Sequence, residues 1–438
     1  MSWSKWSGRR VLRWCARPPE ASRVTQPTSS GCANRSADPA GRRALLVPGR
    51  FVVWRWGVRS RVACRGVSRI VVRTINAAHH LAFLKEQPSA SFLQTPAWGE
   101  VKSEWRRESI GWYRDSRLVG AGLVLYRQLP KVKRYLAYLP EGPVIDWADD
   151  DLADWLSPMA EHLRGNGAFG VRMGPPVVTR SWRADTIKKA IADDTRRRLG
   201  DIPPDARNER GGDVQAVLRA EGWRPVAAGN GGFTAGQPQF VFQIPLAGRS
   251  EDDVLKSMNQ QWRRNIKKAD KAGVVVTQGG ADDLLAFHAL YAETARRDHF
   301  TPRPVGYFEH MYATLRAEDP DRIRLYLAHH EGDLVSATTW VRVGRHTWYS
   351  YGASSTAKRD VRGSNAVQWQ MIRDAIAADA DVYDLRGITE TLDPDDPHIG
   401  LIQFKVGTGG EAVETVGEWD LALNRLVYKA FDFYMSRR

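Results

Sequence analysis

The chain has 438 residues, about three times the size of a common domain, which is enough for two or three domains with substantial cores. Hydrophobic residues make up 42% and charged residues 26%, and no apolar run reaches the ~18 residues of a membrane-spanning helix, so a transmembrane protein is excluded. The net charge of +14 would fit a nucleic-acid-binding protein, but residues 1–70 alone carry +13, so residues 71–438 are nearly neutral.

The first 70 residues differ from the rest of the chain. They contain 14 arginines and no helical or strand periodicity, and all three cysteines lie here: Cys15, Cys32 and Cys64. Arginine richness is typical of organelle transit peptides, and Arg9 and Arg10 resemble a twin-arginine signal, but no apolar stretch of ~7–15 residues follows. We therefore predict a disordered basic segment, and we expect translation to begin between residues 67 and 72.

Deleting residues 1–70 should leave folding and activity intact, because the segment lacks a periodic apolar pattern and carries nearly all of the net charge. Thermal melting and turnover of the shortened chain check this expectation. A substantially lower melting temperature, or lost turnover, would mean that the segment is part of the folded protein.

A short pattern occurs twice in the remaining chain. Residues 112–113 and 118–126 predict two strands joined by a turn, and residues 324–328 and 334–340 predict the same arrangement. Both second strands begin with Leu-Val-x-Ala, and an aromatic strand follows each pair, at residues 135–138 and 348–351. The repetition indicates an internal duplication.

Helical patterns alternate with these strands, at residues 151–164, 281–297, 307–318, 365–379 and 421–436. Such alternation predicts an α/β fold, here of two similar modules. We place the first module at residues 71–240 and the second at 241–410. Residues 411–438 are expected to form a C-terminal strand and helix that pack back on the first module.

The strongest helix signal covers residues 250–273. Ser250 is the expected N-cap, Gly273 follows the end, and apolar residues recur every four positions. Opposite this apolar stripe lie the cations Arg263, Arg264, Lys267, Lys268 and Lys271. Two interpretations remain open: a solvated face whose cations complement the helix dipole, or a surface that binds phosphate or RNA.

Arg303 stands between Pro302 and Pro304 at the start of a predicted helix, where a rigid backbone and free N–H groups favour an anion. An ordinary loop arginine is the alternative. Tyr349 and Tyr351 alternate along a predicted strand and should share one face, either in a site or in the core.

Lys405 lies within the apolar run 402–407, which predicts a strand before a glycine-rich turn. A lysine in such surroundings is uncommon and indicates a functional role. The sequence contains no His-Glu-x-x-His motif of a zinc protease, no Gly-x-Ser-x-Gly motif of a serine hydrolase and no complete P-loop of an NTPase. We therefore expect no metal and no cofactor.

Five segments in consistent order resemble the FemABX transferases, which add bridge amino acids from aminoacyl-tRNA to the stem peptide of a peptidoglycan precursor. The resemblance covers residues 71–438, and its motifs are residues 92–102, 142–146, 262–269, 303–308 and 404–405. It implies two tandem modules of the GCN5-related N-acetyltransferase fold. The coiled-coil arm of some members has no counterpart, because no heptad run follows Lys271.

The resemblance also implies roles for individual residues. It assigns Lys102 and Arg303 to the pyrophosphate or uridylate end of the precursor, with Tyr307 and Tyr351 lining that pocket, and Lys405 to acyl transfer. From the residue patterns we further expect Tyr349 to bind substrate and the cations Arg263, Arg264, Lys267 and Lys268 to bind tRNA. Many relatives have Arg-x-Asp-Pro where this chain has Arg-Met-Gly-Pro at residues 172–175, so a base at that position is missing.

The expected function is therefore tRNA-dependent transfer of an amino acid, expected to be glycine, to a muropeptide precursor. The expected partners are charged tRNA and either UDP-MurNAc-pentapeptide or a lipid-linked muropeptide, with the protein a cytoplasmic bacterial monomer that contacts the inner membrane face peripherally. A CoA-dependent N-acetyltransferase shares the fold, but residues 358–366 do not form its glycine-rich pyrophosphate loop. A non-catalytic RNA-binding protein would explain the basic helix but not Arg303 or Lys405.

Overall fold

The computed structural model describes residues 69–130, 132–193, 195–226 and 236–436. The predicted basic segment lies outside them except for Arg69 and Ile70. Ile70 is only 3% exposed and packs in a hydrophobic cluster. A deletion that tests the segment should therefore end at Ser68.

The described residues form strands β1 (Val71–Ile75), β2 (Arg106–Arg114), β3 (Arg117–Leu129), β4 (Val132–Leu139), β5 (Ala168–Met173), β6 (Val178–Arg183), β7 (Ala206–Arg207), β8 (Arg224–Pro225), β9 (Phe240–Pro245), β10 (Val275–Gly279), β11 (Ile323–His330), β12 (Asp333–Val343), β13 (His346–Ser354), β14 (Val382–Ile388), β15 (Glu411–Thr415) and β16 (Trp419–Ala422). The helices are α1 (Ala77–Lys85), α2 (Pro96–Val101), α3 (Leu152–Gly165), α4 (Ala184–Ile191), α5 (Glu209–Ala220), α6 (Glu251–Ser257), α7 (Gln260–Lys271), α8 (Leu284–Arg297), α9 (Val305–Glu318), α10 (Gly363–Ala377), α11 (Ile399–Val406) and α12 (Arg425–Ser436).

The strands form two mixed sheets. Their orders are β1-β2-β3-β4-β5-β16-β8 in the first sheet and β10-β11-β12-β13-β14-β9-β15-β6-β7 in the second. In each sheet the first four strands pair antiparallel and the fifth pairs parallel with the fourth. The two Leu-Val-x-Ala segments begin at Leu118 and Leu334 in the equivalent strands β3 and β12. This repeat confirms the predicted α/β fold of two tandem modules.

Strands also cross between the two halves of the chain. β6 and β7 precede residue 240 but pair in the second sheet, whereas the C-terminal strand β16 pairs with β5 in the first. α12 packs against β5 through contacts of Phe169 with Tyr428 and Phe431. The two sheets therefore do not follow the predicted module limits at residues 71, 240 and 410. That each module is a separate folding unit stays a prediction.

Two of the predicted helices need correction. The signal over residues 250–273 is two helices, because Asn259 caps α7 by accepting a hydrogen bond from the Trp262 backbone N–H at 2.8 Å. Residues 421–424 do not form a helix: strand β16 ends at Ala422, and α12 begins at Arg425. After α7 the chain enters β10 at Val275, so no coiled-coil arm follows it.

A hydrophobic cluster joins the two sheets. Leu123 and Leu125 of β3 belong to the same buried cluster as Leu325 and Leu327 of β11, together with Phe308 of α9. Burial of this contiguous apolar surface holds the two modules together. No helix in the described ranges is long and apolar enough to cross a membrane.

Candidate active site

Two cations and two tyrosines meet between the modules, and we call Lys102, Arg303, Tyr307 and Tyr351 the basic–tyrosine cluster. Lys102 follows α2, which begins at Pro96 after the N-cap Thr95. The other three residues belong to the second module, in the loop before α9, in α9 and in β13. α2 packs directly on α9, and this contact brings Lys102 to the other three.

The members of the basic–tyrosine cluster contact one another. The Lys102 Nζ lies 3.5 Å from the Tyr307 hydroxyl, which lies 3.3 Å from the Tyr351 hydroxyl. The Arg303 guanidinium stands 4.4 Å from the centre of the Tyr307 ring. His288 fixes the loop by donating from Nε2 to the Arg303 carbonyl oxygen at 2.9 Å. Two cations beside two hydroxyl groups form a surface suited to a phosphate or pyrophosphate.

The charge on Lys102 is sensitive to pH. Burial, and secondly the neighbouring Arg303 cation, lower the pKa of Lys102 to about 8. Within the described ranges, neither Lys102 nor Arg303 forms an ion pair with a carboxylate. The negative charge of Glu104 acts in the opposite direction and raises this pKa, and a bound phosphate would add to that effect and favour the protonated lysine.

Binding of a phosphate-bearing precursor should weaken as the pH rises through about 8, because Lys102 then loses its charge, whereas below that pH the ammonium is intact. The measurement is kcat/KM for the precursor from about pH 6.5 to 9.5, which reports groups of the free enzyme. Lys102→Arg keeps its charge across this range and should remove the inflection. The same inflection in Lys102→Arg would assign it to another group.

Tyr349 does not join the basic–tyrosine cluster, so the predicted shared face of Tyr349 and Tyr351 is wrong. Tyr351 pairs with Thr339 and Tyr349 with Trp340, which leaves Ser350 as an extra residue in β13. This bulge breaks the alternation of side chains. Tyr349 accordingly packs on the second module's core, and Tyr351 packs on the cluster between the sheets.

Lys405 lies in helix α11 and not in the predicted strand. Ile402, Lys405 and Val406 are the buried residues of α11, and their spacing is helical. Lys405 is only 4% exposed, and its Nζ donates to the backbone carbonyl oxygens of Arg386 at 3.2 Å and Gly387 at 2.8 Å. An ammonium has three N–H donors, so these two bonds leave one N–H of Lys405 without an acceptor among the described residues.

The two carbonyl groups face Lys405 because β14 is irregular. The register of β14 against β9 shifts between Asp384 and Gly387, and Arg386 has a left-handed φ of 64°. Asp384 holds this bulge by accepting the Arg386 backbone N–H at 2.5 Å. Burial lowers the pKa of Lys405 to about 7, against the opposing effect of the Asp384 charge.

Sequence reasoning did not find Arg386, Asp384 or Glu141. The Arg386 guanidinium pairs with Glu141 at 2.9 Å and lies 5.7 Å from the centre of the Phe92 ring. Phe92 in turn packs on Trp98, whose ring centre is 4.9 Å from the Lys102 Nζ. A continuous series of contacts thus connects Lys405 with the basic–tyrosine cluster. The only local signal was Gly387 within an apolar strand, which is typical of a bulge.

The predicted RNA-binding cations lie on α7. Arg264, Lys267 and Lys268 are exposed and Arg263 is half-buried, whereas Trp262 and Ala269 are buried on the opposite side. Trp262 donates from Nε1 to the Phe404 carbonyl oxygen at 2.8 Å, so α7 packs on the helix that carries Lys405. Gly407 allows this contact, since a Cβ there would lie 2.3 Å from Trp262.

A carboxylate, that of Glu418, lies beside Gly174, in the segment 172–175 where the resemblance implies a missing base. A Cβ at Gly174 would be 3.4 Å from the Cγ of Glu418. Glu418 is 4% exposed and accepts the Tyr138 hydroxyl at 2.6 Å and the Gly236 N–H at 2.7 Å. Burial raises the pKa of Glu418, so its proton is held more tightly than in water. Among the described residues no group of three histidine, cysteine, aspartate or glutamate residues is arranged to hold a metal ion.

Comparison with known proteins agrees with this architecture of two tandem α/β modules. The model of the FemAB family matches residues 75–329 and 327–435, so the chain belongs to the FemAB family, as the motifs predicted. A relative from Staphylococcus aureus strain MRSA252, named Lipid II:glycine glycyltransferase, is 24% identical over 430 residues, covering 82% of this chain and 94% of the relative. The crystal structure of FemX matches with a TM-score of 0.68 and 22% identity, covering 82% of this chain and 99% of FemX.

Proposed function

We propose that this protein is an aminoacyltransferase that moves glycine from glycyl-tRNA to the stem peptide of a lipid-linked peptidoglycan precursor. Membership of the FemAB family and the glycyltransferase name of a relative that aligns over 94% of its length support this proposal. The observation that carries the chemistry is the nearly inaccessible ammonium of Lys405, held by two backbone carbonyl groups.

The reaction needs correct placement more than a covalent enzyme intermediate. The acceptor amine attacks the ester carbonyl carbon of the aminoacyl-tRNA, forming a C–N bond and a tetrahedral oxyanion. Collapse of that intermediate breaks the C–O bond to the ribose, and the ribose oxygen takes up the proton that the amine loses. Lys405 donates its remaining N–H to the oxyanion, where a fixed donor in a buried site is effective.

The basic–tyrosine cluster binds the phosphate end of the precursor. Lys102 and Arg303 come from different modules, and among the described residues neither forms a close ion pair, although the Glu104 charge acts on Lys102 from further away, so a pyrophosphate can bridge them. A lipid-linked precursor offers this pyrophosphate without a uridylate. The solvent-facing cations of α7 bind the RNA backbone of the donor, which predicts a salt-dependent KM for tRNA.

The mass of the product tests this function. Purified protein is incubated with mixtures of charged tRNAs and with either UDP-MurNAc-pentapeptide or the lipid-linked precursor, and acetyl-CoA is offered in a parallel reaction. Addition of one or more glycine residues, only when glycyl-tRNA is present, is the expected result. An acetylated product would support a CoA-dependent N-acetyltransferase instead. RNA binding with no modified precursor would support a non-catalytic RNA-binding protein.

A further inference from the structure

An ion pair between the two modules connects Glu141 with the backbone that holds Lys405. The Arg386 guanidinium lies 2.9 Å from the Glu141 carboxylate, and it also donates to the side-chain oxygen of Gln237 at 2.9 Å. The two charged side chains are each only 20% exposed. The backbone carbonyl oxygen of the same Arg386 accepts a hydrogen bond from the Lys405 Nζ. Arg386 therefore contacts the first module through its side chain and the acyl-transfer lysine through its backbone.

The backbone of Arg386 needs support from its surroundings. Its φ of 64° lies in the left-handed region, which is uncommon for residues other than glycine and persists only where neighbouring groups hold it. Among the described residues, Asp384 holds its backbone N–H, whereas Glu141 and Gln237 hold its guanidinium. Loss of the Glu141 charge should therefore allow the Arg386 carbonyl group to move away from Lys405.

Glu141 is itself fixed to the segment that leads to Lys102. Its second carboxylate oxygen accepts the Ser91 hydroxyl at 2.6 Å, and the carbonyl oxygen of the adjacent Pro140 accepts the Gln94 side-chain amide at 2.7 Å. These two partners stand just before α2, and Lys102 follows α2. The loop that carries Glu141 therefore packs on the same segment that positions the lysine of the basic–tyrosine cluster.

We propose that Glu141 and Arg386 are positioning residues for acyl transfer: Glu141 of the first module fixes Arg386, and Arg386 fixes the Lys405 ammonium with its backbone carbonyl group. Lys405 is then correctly placed only while the two modules are docked, which connects the chemical step with the module that contributes Lys102. Both residues act through Lys405 and not on the substrate. This inference rests on the proposed function, in which Lys405 stabilises the oxyanion.

The titration of Lys405 distinguishes positioning from a contribution to stability alone. Hydrogen bonds to an ammonium favour its protonated form, so loss of the carbonyl group should lower the pKa of Lys405 still further. The charges of Asp384 and Arg386, both in β14, also act on Lys405. His346 of β13 lies 3.5 Å from Asp384 and is a further titratable group. Lys405→Arg retains His346 and therefore measures its contribution separately.

The variant that tests the proposal is Glu141→Gln, which removes the charge and keeps the size of the side chain. The matched control is Glu414→Gln, because Glu414 forms a similarly buried ion pair with Arg180 in the second sheet. Arg386→Lys is a second variant, which keeps the charge near Lys405 but loses the fork that binds two partners. One readout is a ¹³C NMR titration of labelled lysine side chains, in which Lys405→Met identifies the Lys405 signal. The other is the single-turnover rate of glycine transfer from about pH 5.5 to 8.5.

Glu141→Gln and Arg386→Lys should both lower the pKa of Lys405, and the decline of the rate should move to lower pH. Near neutral pH the rate of Glu141→Gln should fall about tenfold, a common size for coupling between sites. Glu414→Gln should match the wild type in both readouts. Glu141→Gln should cause no further loss of rate in the Lys405→Met background, because a residue that acts through another has no independent effect.

An unchanged Lys405 titration in both Glu141→Gln and Arg386→Lys would overturn the proposal, as would a further loss of rate in the Lys405→Met background. Equal changes in Glu141→Gln and Glu414→Gln would reduce the Glu141 ion pair to a contribution to stability. The NMR titration does not depend on the reaction. A shifted titration without any glycine transfer would therefore refute the proposed function alone, and glycine transfer by the wild type with unshifted variants would refute only the positioning role.

Discussion

Lys405→Met should lower kcat by about 10²–10³ while leaving precursor binding nearly unchanged, because it removes one donor to the developing oxyanion. Lys405 is 4% exposed and already fixed by two backbone carbonyl groups, so its remaining N–H needs little reorganisation during the reaction. Single-turnover assays with pre-charged tRNA separate this chemical step from product release.

Two further variants make the Lys405 result specific. Lys405→Arg keeps the charge but changes its shape and reach, so it should recover only part of the rate. Lys85→Met removes an exposed lysine at the end of α1 and should leave the rate unchanged. A wild-type single-turnover rate in Lys405→Met would reduce Lys405 to a structural or tRNA-docking cation.

The pH dependence of the chemical step provides a second readout for Lys405. Its pKa of about 7 means that the ammonium is present below that pH and is lost above it. The stabilisation of the oxyanion by Lys405 should therefore decline as the pH rises through about 7. Deprotonation of the acceptor amine has the opposite effect, because it favours the reaction at higher pH. Lys405→Arg should lack the decline, since arginine stays charged.

The second large effect is expected at Arg303. Arg303→Ala should raise KM for the precursor roughly 10- to 150-fold, about 1.5–3 kcal/mol, with little change in KM for tRNA, because one charged hydrogen bond to the phosphate is lost. Arg316→Ala is the matched control. Arg316 lies in α9, which begins two residues after Arg303, and its guanidinium lies 5.5 Å from the centre of the Tyr312 ring, much as the Arg303 guanidinium lies 4.4 Å from the centre of the Tyr307 ring. An equal loss for both substrates would remove Arg303 from precursor binding.

The fold was predictable where a pattern repeats over many residues. The two Leu-Val-x-Ala hairpins gave equivalent strands, since β3 and β12 occupy the same place in sheets of the same topology. The role of Ser250 as the N-cap of α6 was also predictable, because Asp253 forms a capping box with it. These features depend on residues close together in the chain.

The site was less predictable because its geometry depends on irregular backbone and distant packing. Lys405 is helical because α11 packs against Trp262 of α7, although the short apolar run fits a strand equally well. The bulge at Ser350 places Tyr349 and Tyr351 on different faces of the strand, and neither tyrosine is a residue type that indicates a bulge. Arg386 adopts a left-handed conformation that is uncommon for arginine, so Asp384 and Glu141 could not be connected with Lys405 from sequence.

The central claim is a division of labour in which the basic–tyrosine cluster binds the precursor and Lys405 acts in the chemical step. Its most direct test is the single-turnover rate of glycine transfer at saturating precursor for the wild type, Arg303→Ala and Lys405→Met. We predict that Arg303→Ala reacts at the wild-type rate once saturated, whereas Lys405→Met remains about 10²–10³ slower. Equal rates for the two variants at saturation, whether both slow or both normal, would contradict this division.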